Sequence, residues 1–254
     1  MRRVQSGPTI GMTIQFVLLA ALDQIVGLSL VGWMAGAGYA AVVCATLTRG
    51  LRRAGAAGLG PADRVTLARA ILVGGVTALT VDSVTRPAPV GLLVALTAVA
   101  LALDAVDGYV ARRTGTASPL GARFDMEIDA FLLLVLSVLV APWAGGWVVA
   151  IGAMRYAFVA AGWLLPWLRA PLPPRYWRKV VAATQGVVLA VAVSDLLPRP
   201  ITISALVVAL AMLVESFGHD VAWLWRHRPT RTAVPAPAGG PTETALPEAA
   251  PQLV

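Results

Sequence analysis

The chain has 254 residues, of which 58% are apolar and only 13% charged, with a net charge of +7 and a single cysteine, Cys44. Soluble domains carry about a quarter charged residues, so this composition excludes a disordered protein and argues against a water-soluble globule. One cysteine excludes an intramolecular disulfide framework and a cysteine-based zinc site, and the basic residues fall between apolar runs rather than along a stripe, so no nucleic-acid partner is expected.

A bilayer core of ~30 Å is crossed by ~20 apolar residues in helical form. The sequence predicts eight such spans: 9–31, a shorter Gly-rich 32–47, 65–81, 89–110, 124–140, 147–167, 180–197 and 201–225. A secretory signal peptide is the competing reading of the N-terminus, because Arg2 and Arg3 precede the first apolar run. That run is too long, and no small-residue cleavage site precedes polar sequence. The segment 229–254 holds six prolines among Ala, Thr and Glu. It has too little to bury and is expected to be disordered.

Eight spans sort the basic residues sharply. Arg2, Arg3, the Arg49–Arg64 group, Arg112, Arg113, Arg123, the group from Arg169 to Lys179, and Arg226, Arg228 and Arg231 fall on one side, 16 in all. Only Arg86 and Arg199 fall on the other. An error of one span would scramble this split. The positive-inside rule then places both termini and the basic loops in the cytoplasm. Arg69 and Arg155 are left within or at the edge of spans.

Charges inside spans are costly and point to function. Asp104 and Asp107 are three residues apart at the end of the fourth span, and Asp125 and Asp129 are four apart at the start of the fifth. Each pair therefore shares a helix face. Gly115, Ser118 and Pro119 between them favour a turn, so the spans can return antiparallel and bring four carboxylates to one membrane surface. Unpaired, these would repel. Oxygen-only ligands suit Mg²⁺, Mn²⁺ or Ca²⁺ rather than zinc, and paired ions of this kind serve phosphoryl chemistry. Gly108 and Ala111, with almost no side chain, leave room for a ligand beside the acidic face. A solvated loop, in which the aspartates pair with Arg112, Arg113 and Arg123, is the plain alternative. Glu127 points about 160–200° away from Asp125 at ~100° per residue and is not read as a ligand.

The stretch from Asp104 to Asp129 resembles the signature of the CDP-alcohol phosphotransferase family, D-x2-D-G-x2-A-R-x8-G-x3-D-x3-D. Asp104, Asp107, Gly108, Ala111, Arg112, Gly121, Asp125 and Asp129 meet all eight fixed positions over 26 residues. The resemblance implies an all-α polytopic membrane protein. Its six-helix core would lie within 61–228, behind an N-terminal two-helix hairpin and basic loop in 1–60 and ahead of the tail from 229 to 254. It implies a transferase that moves a substituted phosphate, often phosphatidyl from CDP-diacylglycerol, to a hydroxyl acceptor with release of CMP. Carried over by position, Asp104, Asp107 and Asp125 would hold Mg²⁺ or Mn²⁺, two ions in the family pattern. Asp129 would help hold the second ion and act as the base. Asp104, Asp107, Gly108, Ala111, Arg112 and Gly121 would bind and shape the CDP site. Homodimerisation, membrane lipids as surroundings and a bacterial cell-membrane location belong to the same expectation.

Supporting positions are less specific. Arg155 is read either as an acceptor or phosphate contact or as the partner of a buried Asp. Lys179 and Gln185 resemble a degraded form of the family's G-K-x-K-T-x-x-Q segment, with Lys179 read as an acceptor contact or a positive-inside charge. Arg69, in Thr66-Leu67-Ala68-Arg69, resembles the Leu-Thr-x-x-Arg that opens the first core helix. A structural role and a headgroup-facing position both stay open for it. Asp23 and Gln24 within the first span suggest an interhelical hydrogen bond, and the tryptophans near span ends suggest interface anchors. The residues after Asp125 and Asp129 match neither the glycerol-phosphate nor the inositol-phosphate pattern, so the acceptor is open. Rival functions are a family member without catalysis that serves as a membrane scaffold, a UbiA-type prenyltransferase and an ion-coupled transporter.

Overall fold

The computed structural model describes residues 6–56, 58–115, 118–173 and 175–228, except for the side chains of Ser6, Ala111 and Arg112. The expected tail, the residues Arg2 and Arg3, and Arg231 lie outside the described residues. Among the described residues eight α-helices follow in order: α1 Ser6–Val26, α2 Leu30–Arg53, α3 Pro61–Asp82, α4 Val90–Thr114, α5 Pro119–Ala144, α6 Val149–Leu164, α7 Tyr176–Ser194 and α8 Arg199–Arg226. Six are long and apolar enough to cross a membrane: α1, α2, α3, α4, α6 with its leading turn, and α8. The first half of α5 carries Arg123, Asp125, Glu127 and Asp129, and α7 opens on Arg178 and Lys179. No strand occurs among the described residues, so the protein is an all-α integral membrane protein, as expected.

The helix boundaries follow local chemistry. The first break falls earlier than the apolar pattern suggested. Gly27 adopts φ 66°, a conformation that side chains disfavour, and Ser29 then caps α2 by accepting from Gly32 N at 3.2 Å. α2 consequently starts at Leu30 and runs to Arg53, well beyond the expected 32–47. α3 opens on Pro61, and Asp63 accepts from Gly60 N at 3.0 Å, which satisfies a donor at the helix start. α4 stops at Gly115 with φ 63°. Ser118 caps α5 by accepting from Gly121 N at 2.9 Å, with Pro119 in its first turn. The sixth expected span divides into α6 and flanking 3₁₀ turns at Gly146–Val148 and Pro166–Arg169.

α3 is the axis of the bundle. It packs against α1, α2, α4 and α5, and Val73, Val76, Ala78 and Leu79 are fully buried. A helix apolar on every side belongs in an interior. The second half of the chain is arranged around α5, which meets α6 and α7, while α8 packs on α7 and, more lightly, on α6. Small residues set the closest approaches. A Cβ on Gly152 of α6 would lie 2.2 Å from the Leu134 Cα of α5, a backbone contact that only glycine permits.

The hairpin α1–α2 is fixed to α3 at the end away from Arg69. Asp82 Oδ1 accepts from Ser29 N at 2.9 Å, and Arg86 donates to the Gly27 carbonyl. Within α1 the fully buried polar residue is Gln15, whereas Asp23 is half-buried and Gln24 exposed. Aromatic residues near helix ends make local contacts. Trp167 meets Trp225 edge to face at 5.4 Å, and Trp177 Nε1 donates to Glu215 Oε2 at 2.7 Å.

Candidate active site

Asp63, Thr66 and Arg69 lie three residues apart on one face of α3, within its first three turns. The end of α4 and the start of α5 meet this face. Arg69 is 1% exposed and reaches all four motif carboxylates. Its Nη1 donates to Asp104 Oδ1 at 2.6 Å and Asp107 Oδ2 at 2.9 Å. Its Nη2 donates to Asp125 Oδ1, to Asp129 Oδ1 at 2.8 Å and to the Asp125 carbonyl at 3.3 Å. One nitrogen thus serves α4 and the other serves α5. Thr66 Oγ1 adds a bond to Asp107 Oδ2 at 3.1 Å.

Asp107 is buried, whereas Asp104 and Asp129 keep 45% and 41% of their side-chain surface exposed. The cluster therefore has a closed floor, formed by Arg69 and Asp107, and an open rim. Asp104, Asp107 and Asp125 each offer a carboxylate oxygen within 4.8 Å of the others, a grouping able to hold a metal ion. Asp129 is outside that triad but shares Arg69 with it. The donor set is carboxylate oxygen, which fits a hard divalent cation such as Mg²⁺ or Mn²⁺. Arg69 uses one oxygen of each carboxylate and leaves the second outside its bonds.

Other expected site residues are placed differently. Gly121 lies on α5 where a Cβ would fall 2.2 Å from Asp63 Oδ1, so its lack of a side chain serves the α3–α5 contact. Gly108 is half-buried on α4, one residue after Asp107. Ala111 and Arg112 also lie on α4, with side chains outside the described residues. Arg155 of α6 pairs with Glu127 and donates to Met126 Sδ at 2.9 Å, both on α5. Its partner is a glutamate rather than the buried Asp considered as one alternative. Glu127 stands off the aspartate face, as the helical spacing required.

Lys179 is exposed on the first turn of α7 and makes no ion pair with the carboxylates among the described residues. Gln185 is fully buried and donates from Nε2 to the Ala209 carbonyl at 2.8 Å, joining α7 to α8. Arg175 and Arg178 approach the buried Asp220 at 3.8 and 3.3 Å. A groove of about 420 Å³ between α2 and α5 is largely apolar, with Arg123, Glu127 and Tyr156 on its wall. None of the four aspartates lines it.

The residue whose part was not foreseen is Arg69. A charge inside an apolar span was the available signal. Its partners depend on α3 lying between α4 and α5, which spacing along the chain does not encode.

The described residues thus form an all-helical membrane bundle with four carboxylates gathered where three helices meet, three of them grouped closely enough to hold a metal ion. The family model for CDP-alcohol phosphatidyltransferase matches residues 59–217, and the chain belongs to that family. The matched stretch includes all eight motif positions and leaves α1 and α2 outside. No curated protein and no solved structure matches the chain.

Proposed function

We propose that the protein transfers a phosphatidyl group from CDP-diacylglycerol to a hydroxyl acceptor, releasing CMP, as a step of phospholipid synthesis. The observation that carries this reading is the convergence of Asp104, Asp107, Asp125 and Asp129 on one guanidinium at one end of the bundle. Asp104, Asp107 and Asp125, with Asp129 for a second ion, would hold Mg²⁺ or Mn²⁺. When bound, such ions polarise phosphoryl oxygens and offset the charge of the leaving phosphate.

The chain's own residues bind, orient and move a proton. Asp107 is buried on the floor of the site, which suits it to fix the cation-binding end. Asp129 stands on the open rim, one turn beyond Asp125, and is assigned to take the proton from the acceptor hydroxyl oxygen as that oxygen attacks phosphorus. The half-exposed Asp104 and the small Gly108 are assigned to the CDP site, together with Ala111, Arg112 and Gly121. Arg155 and Lys179 are the basic residues assigned to the acceptor.

The same reading places α5 and α7 across the membrane with the other six helices, and puts both termini and the site on the cytoplasmic side. It also takes the protein as a homodimer. The 16-to-2 division of basic residues supports the orientation. The test is CMP release by the full chain in detergent, with CDP-diacylglycerol and a panel of hydroxyl acceptors. Release that needs Mg²⁺ or Mn²⁺ and stops with chelator is expected. Donor and cation binding without CMP release from any acceptor would favour the scaffold reading.

A further inference from the structure

We infer that Arg69, assisted by Thr66, is a positioning residue that sets the separation of the α4 and α5 carboxylates and thereby the affinity of the site for its divalent cation. The inference rests on the reading of those carboxylates as a cation site. It concerns two side chains outside the sequence motif.

α4 and α5 each pack extensively on α3, and neither packs extensively on the other. α7 also bridges α4 and α5, but the group hydrogen-bonded to both halves of the carboxylate cluster comes from α3. That is the Arg69 guanidinium. Nη1 takes both α4 carboxylates and Nη2 takes both α5 carboxylates. A planar guanidinium presents its donors in a fixed fork, so the spacing of its two terminal nitrogens is transmitted to the two pairs.

Burial supports a positioning role over a solvated counter-charge. Arg69 is almost fully buried, its Nε has no hydrogen-bond partner, and its terminal nitrogens bond α4 and α5 alone among the described residues. Thr66, one turn earlier on the same face, anchors Asp107 through the oxygen that Arg69 also uses. One oxygen of every carboxylate is fixed in this way, and the second oxygen of each stays outside the Arg69 bonds. The arrangement aligns a set of four carboxylates while leaving each with ligand capacity.

Lysine cannot substitute. Its ammonium is a single point of charge with three rotatable donors. It preserves the charge but cannot reach two pairs through two nitrogens of fixed separation. Arg69→Lys therefore separates geometry from charge. Thr66→Val is a milder companion that leaves Arg69 intact and removes one donor to Asp107.

The test is Mn²⁺ binding to the full detergent-solubilised chain, measured by loss of the free-ion electron paramagnetic resonance signal, with no turnover involved. Each variant's melting temperature in chelator is recorded alongside. Wild type is expected to bind Mn²⁺ at a site removed by combined Asp107→Asn and Asp125→Asn. Arg69→Lys should weaken binding at least tenfold and Thr66→Val about threefold, with Thr66→Val melting within a few degrees of wild type. If Arg69→Lys does not fold, Thr66→Val decides the outcome. Wild-type affinity in the folded variants would overturn the positioning role and leave the cation site standing. Failure of wild type to bind Mn²⁺, or binding that survives loss of both aspartates, would overturn the cation site and the positioning role together.

Discussion

Gly121 of α5 sits against Asp63 of α3 so closely that a Cβ on Gly121 would lie 2.2 Å from Asp63 Oδ1. The two residues bring the start of α5 to the face of α3 that carries Arg69. Gly121→Ala must displace either the carboxylate or the helix. Overpacking of this kind costs about 1–3 kcal/mol, so the variant should melt lower and release CMP more slowly. Asp63→Ala, combined with Gly121→Ala, should recover part of the loss, because the obstructing oxygen is gone. A double-mutant cycle on melting temperature checks this, and strictly additive losses would place the cost of Gly121→Ala elsewhere.

Single replacements at the cation-binding triad should abolish turnover. Asp104→Ala, Asp107→Ala and Asp125→Ala each remove one of the grouped carboxylates. Asp107→Ala should also lower stability most, since it removes the buried carboxylate that accepts from both Thr66 and Arg69. CMP release and thermal melting of purified variants are the measurements. Full turnover in any of the three would sink the assignment.

Asp129 separates binding from chemistry. It stands on the rim of the cluster and outside the triad. Asp129→Asn keeps the size and one oxygen but loses basicity. Binding of a CDP-alcohol with metal should stay within roughly tenfold of wild type, while the rate falls by ~10²-fold or more, the scale of lost general-base help. Equilibrium binding and single-turnover CMP release on the same preparation distinguish the two. A near-normal rate would move the base elsewhere.

The motif aspartates were legible because their spacing alone fixes which face of each helix they occupy. Helical angles likewise put Glu127 off that face, and the structure pairs it with Arg155. The sequence marks Arg69 only as a charge in an apolar run, and its partners lie 35 to 60 residues further along the chain. Only the placement of α3 between α4 and α5 brings them together. The break at Gly27 to Ser29 had a local signal, a glycine followed by a capping serine, which the continuous apolar run obscured. The motif resemblance assigns Gly121 to the CDP site. That its bare Cα also faces Asp63 depends on a contact between helices.

Orientation is tested from outside the cell. Thr114 is exposed at the end of α4, beside the turn to α5. In a Cys44→Ser background, Thr114→Cys should react with an impermeant maleimide only after the membrane is opened. Labelling in intact cells would invert the proposed topology.

The bond that Ser29 N donates to Asp82 Oδ1 bears on how the chain enters the membrane. α3 carries Asp63, Arg69 and Asp82, and charged groups raise the cost of passing a helix into lipid. Synthesis from the N-terminus makes α1 and α2 first, so the Ser29 amide that donates to Asp82 and the surface that covers one side of α3 exist before α3 emerges. A chain begun at the edge of the matched stretch would present Asp82 without that amide and leave bare the side of α3 that α1 and α2 enclose.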